Sequence, residues 1–237
     1  MCAVVPRELE LGAQSRLVDS VVRINPGVRG ITDGIATAMG TGADWIWLLD
    51  GGVSPRPDAL AQLLRPLEVS LPAGPAAVLA SKVLGVDGRL DREAPPWPRM
   101  LAREAALDGA EHRLMVIRAA RYGSLLVDRR AIVRHGGPRP DFFAGGDDLE
   151  WTGRVLRDQA GYLVPQSIVT RTAAPVLDRH AYTRNRVRIL RGDGWSGQER
   201  AWFAFLLASD VARGAAARPA AALGMLRAMV SGLRSPP

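Results

Sequence analysis

The sequence predicts an α/β domain followed by a basic helical extension. Three observations lead there. Short, unbroken apolar runs alternate with segments of helical periodicity early in the chain, the pattern of strands buried on both faces between helices. Hydrophobic residues make up 47% and charged residues 23% of 237 residues, which supports one domain with a substantial core and excludes general disorder. The charge is unevenly placed: residues 178–237 carry ten arginines and four acids, whereas residues 1–177 carry 21 basic and 20 acidic residues.

Cys2–Val5 reads as a very short strand, Glu8–Val18 as a weak helix, and Val21–Ile24 as a strand ending in the Asn25-Pro26-Gly27 turn. The spacing of Ile31, Ile35, Ala38 and Met39 predicts a helix over Gly30–Met39. Asp44–Leu49 is a buried strand that stops at Asp50-Gly51-Gly52, with Trp45 and Trp47 expected on both sides of its sheet. Pro57–Leu67 follows as a helix opened by proline. Ala76–Val83 is a further buried strand, and Gly85–Gly109 a polar, proline-rich excursion containing Trp97. Tyr122–Val127 is a strand and Arg129–His135 a short helix. Gly136–Gly146 is a loop carrying Phe142 and Phe143, Asp147–Asp158 a helix, and Leu163–Val169 the last strand. The basic helix His180–Arg191 and two helices near Gln198–Arg213 and Ala220–Leu233 complete the chain.

Composition excludes several functions. Cys2 is the sole cysteine, which rules out a disulfide framework and a cysteine zinc site. The three histidines, His112, His135 and His180, are scattered, against a histidine metal cluster. The net charge is +7, and Lys82 is the only lysine among 31 basic residues. That skew reflects coding bias, and with no recognition motif beside the charge no nucleic-acid partner is expected. The C-terminal excess favours a local anionic partner, a membrane surface or a phosphate. No run of 18 apolar residues exists, so no spanning helix is expected. Without a signal-peptide pattern at the N-terminus, the expected location is cytoplasmic.

Two constellations carry chemistry. Asp50 ends the most buried strand and is followed by two glycines; ligands of open α/β sheets sit beyond the carboxyl ends of strands. The alternative is a tight turn in which Asp50 caps the loop. Asp147, Asp148 and Glu150 open a helix after the Phe142-Phe143-Ala144-Gly145-Gly146 loop. Acids favour helix N-termini by capping and through the macrodipole, yet three exceed what one cap needs. A crowded carboxylate can serve as a general base. Arg184, Arg188 and Arg191 form a helical stripe that fits either a solvated face or a site for a diphosphate or anionic lipid. Trp202, Phe203, Phe205, Leu206 and Leu207 fit core packing or interfacial membrane contact.

Four blocks in order resemble family-2 glycosyltransferases of the GT-A fold. They are RINPGVRGITDGI at 23–35, WIWLLDGGVSPRPDAL at 45–60, the segment 122–169 with its FFAGGDDLE core, and HAYTRNRVRIL at 180–190. The last block resembles the rhamnosyl- and galactofuranosyltransferase branch. The resemblance implies a GT-A-like, mostly parallel sheet over residues 1–177 and a basic helical extension over 178–237. It implies an inverting transfer from UDP-galactofuranose or dTDP-rhamnose to a lipid-linked or cell-envelope glycan, at the inner face of the plasma membrane. By the same resemblance Asp148 is the catalytic base, with Asp147 and Glu150 orienting the acceptor. Asp50 is the first acid of the motif that holds the metal, Mn²⁺ or Mg²⁺, and the diphosphate. Gly30, Gly34, Arg171 and Arg184 fall on the donor side. The chain departs from the pattern in three places. Gly51-Gly52 replaces further acids, Arg171 stands where the family places a metal-binding histidine, and residues 1–24 are a shortened N-terminal nucleotide-binding part. These departures define the alternative expectation, a catalytically degenerate homologue that binds a glycan or a partner.

Overall fold

The computed structural model describes residues 1–25, 28–71, 73–91, 96–100, 103–142, 145–172, 178–217 and 219–236. Pro26 and Gly27 of the expected turn, and Phe143 and Ala144 of the loop before the acids, lie outside them. The chain divides into two compact units. One comprises Met1–Pro138 and Trp151–Pro175, the other Arg139–Glu150 and Val176–Pro237. Residues 139–150 therefore cluster with the C-terminal helices.

The first unit holds a mixed sheet. Its strands are β1 (Cys2–Pro6), β2 (Ser20–Ile24), β3 (Trp45–Leu49), β4 (Val53–Pro55), β5 (Ala76–Leu84), β6 (Trp97–Pro98), β7 (Met115–Ala119), β8 (Ser124–Asp128) and β9 (Ala160–Arg171). Helices α1 (Val28–Gly40), α2 (Ala59–Leu64), α3 (Arg103–Glu111) and α4 (Arg129–His135) are interspersed. Helix α5 (Asp147–Val155) gives its first turn to the second unit and its remainder to this one. The strand order is β2-β1-β3-β8-β5-β9-β7-β6, and β4 pairs with β9. Strands β2, β1, β3, β5 and β9 run one way, while β8, β7 and β4 run against them. The expected α/β class with a largely parallel sheet is what forms.

Strand periodicity divides the core into two layers, because successive side chains point to opposite faces. Val4, Ile46, Leu48, Val78, Leu125 and Val127 build one layer. Ala3, Val5, Trp47, Leu49, Leu79 and Leu126 build the other. This corrects the expectation for Trp45 and Trp47. They are two residues apart, so both pack on the second layer, Trp47 fully buried and Trp45 partly. The indole N–H of Trp47 donates to Ser124 Oγ at 2.9 Å, and Ser124, Ser81 and Ser167 link hydroxyl to hydroxyl at 2.7 Å each. The Ser167 hydroxyl donates to the Ala59 carbonyl, so this polar chain through the sheet is satisfied.

Several elements differ from the sequence reading, among them the unread short strands β4 and β6. Glu8–Val18 is a 3₁₀ turn over Gly12–Leu17 rather than a helix. Its buried Gln14 accepts a hydrogen bond from the Leu60 N–H at 2.9 Å, satisfying an orphan donor in the first turn of α2. Helix α3 begins inside the stretch read as a polar excursion. Strand β7 went unread because Arg118 interrupts its apolar run. Arg118 is buried, and its guanidinium donates to the Gly153 carbonyl.

Glycine has a packing reason in α1. A Cβ on Gly34 would lie 2.6 Å from Val4 Cγ1 and 2.7 Å from Ile24 Cγ2, and one on Gly30 would lie 2.0 Å from the Asn25 carbonyl oxygen. Replacing a helical glycine by alanine gains about 1 kcal/mol of propensity, while overpacking a core costs about 1–3 kcal/mol. Gly34→Ala is expected to lower stability by up to about 2 kcal/mol in urea unfolding; a stabilised variant would show that the strands give way freely.

The second unit contains α6 (Arg179–Arg191), α7 (Gly197–Ala217) and α8 (Pro219–Arg234). Asp178 caps α6, accepting from the N–H groups of His180 and Ala181. Phe203, Leu207, Val187, Ile189 and Ala228 supply buried apolar contacts.

Candidate functional site

In the first unit the candidate site lies at the carboxyl end of β3. The Asp50 N–H is tied to the Gly123 carbonyl at 3.1 Å, and the chain reverses through Gly51-Gly52 into β4, where Val53 pairs with Arg171. A Cβ on Gly51 or Gly52 would meet only ordinary van der Waals contact, 3.6 Å from Pro6 Cγ and 3.8 Å from Arg171 Nη1. Packing within the described residues does not demand these glycines.

Arg171 ends β9, and its guanidinium faces two carboxylates. Its Nε donates to Asp91 Oδ2 in a buried ion pair, with the side chains 9% and 6% exposed. Its Nη1 stands 3.6 Å from Asp50 Oδ2, and the Asp50 side chain is 40% exposed. Asp91 arrives on the hairpin that follows β5, its N–H bonded to the Val83 carbonyl at 3.0 Å. Sequence reasoning missed Asp91, because VDGRLD reads as a turn with ordinary turn acids. The three charges sum to a net negative cluster.

That geometry answers whether a divalent cation fits. Such ions take several oxygen ligands, and Mg²⁺ typically takes one or two carboxylates with substrate phosphates. Asp50 offers one carboxylate, but Asp91 is engaged by Arg171, and guanidinium has no acceptor atom. Among the described residues no group of three histidine, cysteine or acidic side chains could hold a metal. The residues present do not fit a resident cation at Asp50.

Gly30 and Gly34 sit on α1, where their missing side chains admit the Asn25 carbonyl and the β1 and β2 side chains, respectively.

In the second unit, Asp147, Asp148 and Glu150 form the first turn of α5. Asp147 and Asp148 are both buried, and Asp148 Oδ1 accepts from the Leu149 N–H at 2.8 Å. The approach to this turn is held by α6. Asn185 Nδ2 donates to the carbonyls of Phe142 and Gly145 at 2.8 and 2.7 Å. Gly146, at φ +95°, faces Asn185 Cβ; that backbone region favours glycine. Asn185 lies in the 180–190 block that carries the resemblance, but the sequence assigns it no role, since its partners Phe142 and Gly145 are about 40 residues away.

The arginine stripe divides on inspection. Arg188 is buried, its guanidinium 4.1 Å from the Phe142 ring centroid and bonded to the Asp141 carbonyl and carboxylate. Arg191 donates to the carbonyls of Gly232 and Ser235. Arg184 Nε donates to Asn185 Oδ1 at 3.1 Å. The stripe thus braces the second unit, and the solvated-face reading fails at Arg188.

Burial alone would raise the Asp141 carboxyl, but hydrogen bonds from Arg139 and Arg188 outweigh it and hold it below the usual carboxylate range. Asp210 is lowered the same way, by Arg186 and Arg213 against burial. A depressed folded-state value gives stability that is present above the unfolded-state pKa, about 4, and lost as pH falls through the folded value. Asp141→Asn is therefore expected to be less stable than the parent at neutral pH and to converge with it in acid. Because Asp141 is half exposed, the gap is about 1 kcal/mol or less. Urea midpoints measured between neutral and acid pH check this; a gap that persists in acid would contradict it.

No known family profile and no curated protein sequence matches the chain. Solved structures do. TarS of S. aureus is 13% identical, with a TM-score of 0.52 over 90% of this chain and 43% of its own. The mannosyltransferase PcManGT of Pyrobaculum calidifontis, solved with GDP-Man and Mn²⁺, is 15% identical with a TM-score of 0.49 over 98% and 86%. GalNAc-T7, solved with UDP, GalNAc and Mn²⁺, is 15% identical with a TM-score of 0.49 over 78% and 38%. The chain thus spans less than half of TarS and of GalNAc-T7. The fold is α/β and GT-A-like, with a largely parallel sheet flanked by helices and further helices at the C-terminus.

Proposed function

We propose that the chain is an inverting glycosyltransferase that moves a sugar from a nucleotide-sugar to a glycan acceptor. The observation that carries this reading is the buried Asp147-Asp148 pair in the first turn of α5, on a loop held by Asn185. Asp148 takes the proton of an acceptor hydroxyl. The freed oxygen attacks the anomeric carbon as the bond to the nucleoside diphosphate breaks, and the diphosphate leaves. Asp147 and Glu150 orient the acceptor. Asp50, Gly30, Gly34, Arg171 and Arg184 belong to the donor side, and no step passes through a metal. By the resemblance in sequence the donor is UDP-galactofuranose or dTDP-rhamnose, and the acceptor a lipid-linked or cell-envelope glycan. Incubation with each donor and a polyprenyl-linked acceptor is expected to release nucleoside diphosphate and a glycosylated product. No product with either donor would overturn the reading.

One observation favours a second reading. Arg171 is already matched by Asp91 and Asp50, which leaves little positive charge for a departing diphosphate. A catalytically degenerate homologue that binds a glycan or a partner would tolerate that arrangement. Such a protein would bind glycan and release no nucleotide from any donor.

A further inference from the structure

The second unit carries apolar surface that its own core does not use. Helix α7 buries Phe203 and Leu207, yet Trp202 and Phe205 are 48% and 60% exposed on its other side, their rings stacked at 5.6 Å. Ala201, Ala204, Ala208 and Ala212 are exposed along the same helix. Helix α8 buries Ala228, while Leu223, Leu226, Val230 and Leu233 stand 45–59% exposed. Their spacing of three, four and three residues makes one stripe along the helix. A helix on the surface of a globular protein usually opposes its buried face with a polar one. Here both helices oppose it with apolar side chains, and exposed apolar surface of this kind marks an interaction surface.

The charge around the patch identifies what covers it. Beyond Asp210 the sequence has no acidic residue, and arginines stand at 213, 218, 227 and 234. Arg227 and Arg234, two turns apart, line a shallow groove of about 540 Å³ with Leu226, Val230, Ser231 and Ser235. The buried arginines of this unit are accounted for internally: Arg186 pairs with Asp210, and Arg188 with Asp141. The exposed arginines beside the stripe are the ones left to meet an external anion. No helix among the described residues is long and apolar enough to cross a membrane. Helix α8, with exposed Leu and Val beside arginine and no acid, has the composition of a helix that lies in an interface plane, and α7 adds the exposed Trp202 and Phe205 between Glu199 and Asp210.

We propose that α7 and α8 dock on an anionic phospholipid bilayer. Trp202, Phe205 and the Leu223-Leu226-Val230-Leu233 stripe enter the acyl boundary. Arg227 and Arg234 hold lipid phosphates at the groove, their aliphatic stems lying along its apolar wall. The proposal does not depend on the glycosyltransferase reading and can fail or succeed without it.

Vesicle co-sedimentation of the full chain tests it, with phosphatidylcholine alone or with about 30% phosphatidylglycerol, an anionic lipid. Three proteins are compared: the parent, Leu226→Glu/Val230→Glu and Arg227→Gln/Arg234→Gln. All four positions are exposed, and thermal melts confirm that the variants fold. The parent is expected to bind the anionic vesicles, more weakly as salt rises. The glutamate pair is expected to lose at least about tenfold in partitioning, and the glutamine pair to lose the preference for anionic lipid. Equal partitioning of the parent and the glutamate pair would overturn the proposal, as would failure of the parent to bind anionic vesicles at low salt. So would a concentration-dependent dimer by light scattering that the glutamate pair dissolves while vesicles go unbound; a second copy of the chain would then cover the patch.

Discussion

Asp148→Asn is expected to reduce sugar transfer by about 10²–10⁴-fold, the usual contribution of a general base. The substitution keeps the shape of the side chain and its acceptor oxygen, so the bond from the Leu149 N–H is retained. It also separates two roles that the position could have. Asparagine keeps an oxygen that accepts from the Leu149 N–H, so a purely structural Asp148 would leave activity near that of the parent. A base cannot be replaced by an amide that takes up no proton. Initial rates of nucleoside diphosphate release, with the melting temperature as a folding control, measure the difference. Activity within a few-fold of the parent, with the fold intact, would remove Asp148 from the chemistry.

Arg171→Met is expected to destabilise the chain by about 3–5 kcal/mol, the cost of stranding one partner of a buried ion pair. The partner left behind is Asp91, whose side chain is 6% exposed. Replacing both members, Arg171→Met with Asp91→Leu, is expected to recover most of that loss, because an apolar pair of similar volume avoids burying a charge. Urea unfolding of the single and double variants provides the cycle. A single-variant cost under about 1 kcal/mol would mean that water reaches Asp91 and the clamp is loose.

The sequence reading succeeded where one local signal dominated. WIWLL is unbroken apolar and forms β3, and Arg129–His135 is bounded by the capping Asp128 and by Gly136, at φ +74°. It failed where the deciding partner is distant in the chain. Arg118 reads as a break in β7 until the Gly153 carbonyl, 35 residues on, is seen to accept from it. Asp91 reads as a turn residue until Arg171, 80 residues on, closes on it. Asn185 belongs to a block that carries the family resemblance, yet its role emerges only from the distant carbonyls of Phe142 and Gly145. The acids were legible because three of them crowd one helix start. The partners that fix their surroundings were not, since long-range hydrogen bonds leave no periodicity in the sequence.

The guanidinium of Arg171 engages Asp91 and faces Asp50, which leaves no fitting cation site there, so the proposed nucleotide binding owes little to a divalent metal. Titration calorimetry with UDP and with dTDP, in EDTA and again with excess Mn²⁺, addresses this most directly. Binding of at least one nucleotide is expected in EDTA, with less than about a tenfold gain, or about 1.4 kcal/mol, when Mn²⁺ is added. A larger gain would show that a metal site survives at Asp50, and no heat from either nucleotide under either condition would contradict the donor site itself.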